Sequence, residues 1–345
     1  MARSKGESKE LAQLKKDIDG GSLKNIYVFY GEERYLLEYY LSRARKSALE
    51  GGAEDFNYKK ISGREMTAAQ LFEAVDTLPV FSSRTFIEID DYDIFKANEE
   101  TKKVLLEIFS DIPEYVCLVF VYDTVEYKSD GRVKINGELK KYITAVEFAG
   151  QSQSDLISWI TRRFRALGRQ IDRQTADYMI FMAGTLMTKL VTEIEKVASY
   201  SKAEWIRRED IDAVVVPEVD AVTYKMTNAI IEGDFSRAIK ILSDLNALNE
   251  PPHKIIYSIS MRLRQLYSAC VCLEYGKGAP ELMDMFDIKN DYQVRGIITG
   301  AKRAGSLWCR EAMGKCAGAA LKLNSSSSDN GEILSQLLVE MAISR

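Results

Sequence analysis

The residues best placed by type and spacing to do chemistry follow the first apolar run. Ile26-Tyr27-Val28-Phe29-Tyr30 ends at Gly31 and leads into Glu32-Glu33-Arg34-Tyr35-Leu36-Leu37-Glu38. A strand, a glycine turn and a helix start form the position of a phosphate loop, where backbone N–H groups and the positive end of the helix dipole favour an anion. Nucleoside triphosphate chemistry asks for G-x-x-x-x-G-K-[ST] there: glycines let the backbone close on phosphate, and Lys and Ser/Thr manage charge and Mg²⁺. The second glycine, the lysine and the hydroxyl are all missing, and Glu32 and Glu33 put negative charge where phosphate would approach. A later run, Leu118 to Tyr122, ends on Asp123 alone, without the acidic pair of a Mg²⁺-binding strand. The order of elements resembles an ATPase, and the residues of the turn argue against ATP.

Other reactive residue types are scattered. His253 is the one histidine, and it follows Pro251-Pro252 at an expected helix start. It has no partner set for a metal, and no G-x-S-x-G marks a nucleophile for a triad. The five cysteines are Cys117, Cys270, Cys272, Cys309 and Cys316. Their odd count and spacing predict reduced, buried thiols in a cytosol. Cys270 and Cys272 are two apart, so on a helix they face different ways. No cofactor and no metal site is expected. From Asp155 to Arg173 there are five arginines against two aspartates, with Arg162, Arg163 and Arg165 opposite an apolar face. Such a charge run is read as a solvated helix face.

The elements that must position these residues change character along the chain. Up to about residue 150, strand signals alternate with helical ones: Ile26–Tyr30, a helix over Glu32–Leu49, a strand over Phe56–Ile61, a short helix over Thr67–Asp76, a strand over Thr85–Ile89, a helix over Lys102–Phe109, and Tyr115–Tyr122. The last, YVCLVFVY, is the most apolar run in the chain and predicts a central strand buried on both faces. Alternation of this kind predicts an α/β layer with a mostly parallel sheet. Beyond it the pattern is helical. Ser152 to Asp155 marks a helix start, Asp172 can cap the next helix toward Ala183, and Pro217 ends a small bundle. Further helices are expected near 220–232, 235–248, 252–275, 279–286, 290–303, 306–322 and 330–343. The serine run Ser325–Ser328 reads as a loop before the last of them. The expected domains are therefore 1–150 α/β, 151–215 helical and 216–345 helical.

Composition sets bounds on function. The chain has 345 residues, 46% apolar and 28% charged, with a formal net charge of −4 and a pI near 5.5. That is ordinary for a folded protein with more than one core. The acidic balance argues against gripping a phosphate backbone as the main task. No run reaches the ~18 apolar residues of a membrane span, and the polar start MARSKGESKELAQLKKDIDG lacks the apolar core of a secretory signal, so a cytoplasmic protein is expected.

Several segments, in order, resemble the delta subunit of the bacterial DNA polymerase III clamp loader. YGEERYLLEYYLSRA (30–44) resembles that family's opening strand, turn and helix. LPVFSSRTFIEID (78–90) resembles its clamp-contact segment. Residues 164–201, with Gly184-Thr185-Leu186 and Glu193-Ile194-Glu195-Lys196, are similar to its lid, and residues 230–245 and 260–266 to its collar helices. The contact pair reads Val80-Phe81 where Leu-Phe is commoner, and residues 320–330 depart from the family's usual segment. The resemblance implies an ATPase-like but nucleotide-free first domain (1–150), a helical lid (151–215) and a helical collar (216–345). It implies no active site of the chain's own. It implies partners in the sliding clamp, in gamma/tau-type and delta-prime loader subunits, and in primed DNA through the assembled complex. The clamp would be gripped and opened through Leu78, Val80, Phe81, Ser82 and Arg84. The residues by themselves leave two readings of Val80 and Phe81, a staple to the domain's own core or an exposed anchor. They also leave open a nucleotide-dependent transferase, a nucleic-acid-binding module, or an inactive ATPase-fold scaffold in another DNA-processing assembly.

Overall fold

Five strands of the first half form one parallel sheet, and helices cover both its faces. The computed structural model describes residues 8–49, 54–64, 66–288, 291–325 and 329–344. It divides into two units, Met1–Ser152 with Leu186–Thr188, and Gln153–Thr185 with Lys189–Arg345. In the first unit the elements run α1 (Lys9–Asp19), β1 (Ile26–Tyr30), α2 (Arg34–Ala48), α3 (Glu54–Asn57), β2 (Tyr58–Ser62), α4 (Ala68–Asp76), β3 (Thr85–Asp90), α5 (Glu99–Ser110), β4 (Val116–Tyr122), α6 (Lys134–Lys140) and β5 (Thr144–Glu147). The strand order is β2-β3-β4-β1-β5.

The sheet's two faces explain why β1 and β4 read as unbroken apolar runs. All seven residues of β4 are buried. Successive strand side chains point to opposite faces. Cys117, Val119 and Val121 therefore join Tyr27, Phe29 and Phe86 under α1 and α2, with Leu14, Leu37 and Leu41 among the helix residues. Val116, Leu118, Phe120 and Tyr122 join Val28, Ile87 and Ile89 under α4, α5 and α6, with Leu71, Leu105 and Leu139 among theirs. Local signals agree with this packing. Ser8 caps α1 and accepts from Leu11 N–H, Thr67 and Gln70 close a capping box on α4, and Asn98 caps α5 ahead of Glu99 and Glu100.

Several boundaries differ from the sequence pattern; the helix expected over Lys102–Phe109, for one, runs from Glu99 to Ser110. The second helix begins at Arg34 rather than Glu32, because Glu33 has the non-helical backbone of a cap residue. The second strand begins at Tyr58 rather than Phe56, because Glu54–Asn57 makes a helical turn first. α1 and α6 lie outside the elements expected from the sequence, although α1 carries Leu11, Leu14 and Ile18 at helical spacing, and β5 is a four-residue edge strand.

The second unit runs α7 (Gln153–Ala166), β6 (Gln170–Ile171), α8 (Arg173–Ala183), α9 (Met187–Tyr200), β7 (Trp205–Ile206), α10 (Arg208–Val214), α11 (Val219–Glu232), α12 (Phe235–Ala247), α13 (Pro252–Glu274), α14 (Ala279–Phe286), α15 (Asp291–Ala304), α16 (Ser306–Ser325) and α17 (Asn330–Ile343). The β6–β7 pair, two residues a strand and parallel, interrupts the expected all-helical stretch; runs that short give no alternation to read. Among the described residues beyond 217 there is no strand. Asp172 caps α8 through Gln174 and Thr175 N–H, and Gly233 ends α11 in the left-handed conformation that glycine takes without a Cβ penalty. α13 is the central helix of the last seven, packing against α11, α14, α15, α16 and α17 around one apolar core. Ser325 closes α16, while Ser326–Ser328 of the expected loop lie outside the described residues. No described helix is long and apolar enough to cross a membrane.

Phe120 is fully buried on the middle strand and stacks edge-on to Phe109 of α5. Phe120→Ala is expected to destabilise the first unit by about 3–5 kcal/mol, the usual cost of emptying an aromatic core position. Urea unfolding followed by circular dichroism reads this; an unchanged midpoint would place the ring outside the core.

Candidate functional site

An open parallel sheet offers two kinds of rim: the ends where strands finish and the ends where they begin. Ligand crevices form outside the finishing ends, and here that rim is filled by the chain's own groups. Gly31 has φ 132, and a Cβ there would overlap the Phe148 carbonyl, so only glycine fits. The Glu33 N–H, one of the groups a phosphate would use, donates to that same Phe148 carbonyl at 2.9 Å. Glu33 is 1% exposed, burial pushes its carboxyl above the usual range, and its Oε1 has no hydrogen-bond partner. Arg34 pairs with Glu38 at 2.9 Å and with Asp123 at 3.1 Å, so the lone carboxylate after β4 is held by a cation of α2. A buried acid, an occupied N–H and an internal ion pair stand where an anion would need free donors.

The opposite rim carries the apolar segment. The connection from α4 to β3 spans residues 77–84 in bends and extended backbone. Leu78 is 69% exposed, Val80 41% and Phe81 88%. Phe81 also has φ 54, a left-handed backbone that costs a bulky residue on the order of 1–2 kcal/mol. Of the two readings open in the sequence, the exposed one fits these positions, since the Phe81 ring does not enter the unit's own core. Ser82 is half-buried and its Oγ receives the Arg84 N–H at 3.4 Å.

Arg84 is placed differently from a solvent-facing rim residue. Its guanidinium turns inward and donates to the Leu23 carbonyl at 2.5 Å and, through Nε and Nη2, to the Glu114 carbonyl at 3.3 and 3.0 Å. Leu23 precedes β1 and Glu114 precedes β4, so Arg84 ties together the starts of three parallel strands beneath the tip. On the other arm, Lys59 donates to Thr77 Oγ1 at 2.8 Å, and Thr77 Oγ1 in turn donates to the Glu73 carbonyl.

The residue that sequence reasoning missed is Asn57. It is 1% exposed, accepts from Val80 N–H through Oδ1 at 2.7 Å and donates from Nδ2 to the Val80 carbonyl, also at 2.7 Å. Its partner lies 23 residues away, and no local motif announces such a pairing. The one available signal is an uncharged polar residue near the start of the strand expected over Phe56–Ile61.

The remaining candidates have ordinary surroundings. His253 is exposed on the first turn of α13. All five cysteines are buried and outside any disulfide; burial pushes the Cys117 thiol up to about 12 and the Cys316 thiol up to about 11, which keeps both as unreactive thiols near neutral pH. Arg162 and Arg165 are exposed on α7, and Arg163 pairs with Glu195 at 3.1 Å. Among the described residues no cluster of His, Cys, Asp or Glu is arranged to hold a metal ion.

Comparison with known proteins gives a consistent result. Residues 27–149 match the family model described as DNA polymerase III, delta subunit, and residues 220–343 match the model of the DNA polymerase III delta subunit, C-terminal domain. Between them they take in well over half of the chain. The DNA polymerase III subunit delta of Bacillus subtilis is 22% identical over 273 residues, covering 77% of this chain and 78% of its own length. A probable DNA polymerase III subunit delta of Aquifex aeolicus is 21% identical over 281 residues, covering 78% and 77%. Among solved structures, the DNA clamp loader delta protein of Bacillus subtilis is 19% identical, covers 96% of this chain and 99% of its own, and superposes with a TM-score of 0.49.

The inward pose of Arg84 has a measurable consequence. Arg84→Ala leaves the Leu23 and Glu114 carbonyls without this donor, and is expected to cost about 1–3 kcal/mol of stability, as for other hydrogen bonds made by a charged group. A chemical-denaturation midpoint equal to that of the unchanged chain would return Arg84 to a surface role.

Proposed function

Because the chain belongs to the delta-subunit family of DNA polymerase III, we propose that it is the clamp-loader subunit that grips and opens the sliding clamp, with Leu78–Arg84 as the contact. The observation that carries this reading is the 88% exposure of Phe81 in a connection whose base is braced from within by Arg84 and Asn57. A large apolar side chain held out in water is unfavourable for the isolated chain, by roughly 1.5–3 kcal/mol relative to burial. An apolar pocket on a partner recovers that energy. Leu78 and Val80 flank the ring and extend the apolar contact, while Ser82 and Ser83 permit close approach. Such an anchor favours an opened clamp only if it binds that state better than the closed ring.

The rest of the assignment follows from family membership and the helical second half. Residues 151–215 would serve as the lid and 216–345 as the collar that packs with gamma/tau-type and delta-prime subunits. Primed DNA would be met through the assembled loader, in the cytoplasm. The chain would hydrolyse nothing itself. The buried Glu33, the occupied Glu33 N–H and the Arg34–Asp123 pair support a subunit that relies on its neighbours for ATP.

Two outcomes test these statements. Phe81→Ala is expected to weaken binding of the organism's own sliding clamp at least tenfold, about 1.4 kcal/mol, with the melting temperature little changed, because the ring is exposed. An unaltered clamp affinity would assign the tip to another partner. Titration calorimetry of the chain with Mg-ATP is expected to give no binding heat; micromolar affinity abolished by substitution at Glu33 would overturn the inactive-turn reading.

A further inference from the structure

Phe81 combines a left-handed backbone with an exposed ring in a connection that belongs to no strand or helix. Left to itself such a connection would relax: φ would move to negative values, and the ring would fold against the surface of its own unit. Lys59 on Thr77 and Arg84 on the Leu23 and Glu114 carbonyls hold the two arms of the connection. In neither case is the hydrogen-bonded group part of the peptide that joins Val80 to Phe81. Asn57 does hold that peptide.

The Asn57 carboxamide takes both polar groups of one residue. Its Oδ1 receives the Val80 N–H and its Nδ2 donates to the Val80 carbonyl, each at 2.7 Å. A paired strand residue makes the same exchange of two bonds with its partner. The Val80 N–H belongs to the peptide before that residue and its carbonyl to the peptide after it, so both planes are fixed. The second plane is the one about which Phe81 turns its φ. Asn57 is itself buried at the end of α3, just before β2, so the amide is held by the sheet and not by the loop.

We infer that Asn57 is a positioning residue for the tip: it holds Phe81 in its protruding conformation before a partner arrives. This rests on the reading of Leu78–Arg84 as the clamp contact, and it adds how that contact is made ready. A preorganised anchor avoids the ordering cost that a mobile loop meets on binding. If loosening left the tip correctly formed one time in ten, the apparent dissociation constant would rise about tenfold, since affinity scales with the competent fraction.

The test uses the full chain and its own sliding clamp in a double-mutant cycle. Asn57→Ala is expected to weaken clamp binding by roughly five- to tenfold. In a Phe81→Ala background the same substitution is expected to add less than about twofold, because residues acting through one contact are not additive. A structural effect alone would instead carry through undiminished in both backgrounds, and that additivity would overturn the proposal. Hydrogen exchange gives a second reading. The Val80 amide should exchange slowly in the unaltered chain and quickly in Asn57→Ala, with β3 and β4 amides unchanged; fast exchange in the unaltered chain would sink the idea. If Phe81→Ala itself leaves clamp affinity intact, the clamp reading fails, and the exchange measurement still judges whether Asn57 holds the tip. Should Asn57→Ala lose the fold, Asn57→Asp, which keeps an acceptor for the Val80 N–H, takes its place in the cycle. Loss of the fold in both variants would make Asn57 a core residue and reject the positioning role.

Discussion

Burial of the parallel sheet on both faces is the constraint on which the first unit depends. Every residue of β4 is out of water, and its side chains alternate between two helix-covered cores. Parallel strands joined by helices leave no face free, so whatever the unit does must happen at its rims or in its connections. The arrangement also separates the two rims by the length of the strands. One rim collects the ends of β1 and β4, with Gly31 and Asp123. The other collects the starts of β1, β3 and β4, and there Arg84 bonds to the Leu23 and Glu114 carbonyls.

The two rims have been used in opposite ways. At the finishing ends, polar groups are satisfied internally: the Glu33 N–H by Phe148, Arg34 by Glu38 and Asp123. An anion arriving there would find acidic neighbours and few free donors. At the starting ends the backbone is also well satisfied, but an apolar side chain is left outside. Phe81 and Leu78 stand in water beside hydrogen bonds made by the side chains of Asn57, Arg84 and Lys59. At the second rim the left-handed backbone and the exposure of Phe81 stand beside hydrogen bonds made by Asn57, Arg84 and Lys59.

Much of this was legible in the residues themselves. YVCLVFVY declared a doubly buried strand, and the loss of alternating strand signal after about residue 150 declared the helical second half. Each of these is a local property: periodicity, composition or a spacing of a few residues. The same is true of Asp172 as a helix cap, whose partners lie within three residues. The β6–β7 pair and β5 were not legible, because two to four residues give no period and their pairing partners are far along the chain.

The connection at Leu78–Arg84 shows where the sequence stops. Its residue types marked it as apolar and conspicuous, and they left open a staple into the core, the reading they favoured, or an anchor in water. Only the tertiary structure decided that the Phe81 ring is outside, that Arg84 points in, and that Asn57 holds Val80. The reason is range. The hydrogen bonds that orient the tip join residues 18 to 61 positions apart, and they exist only once the sheet has brought the starts of β1, β2, β3 and β4 to one edge.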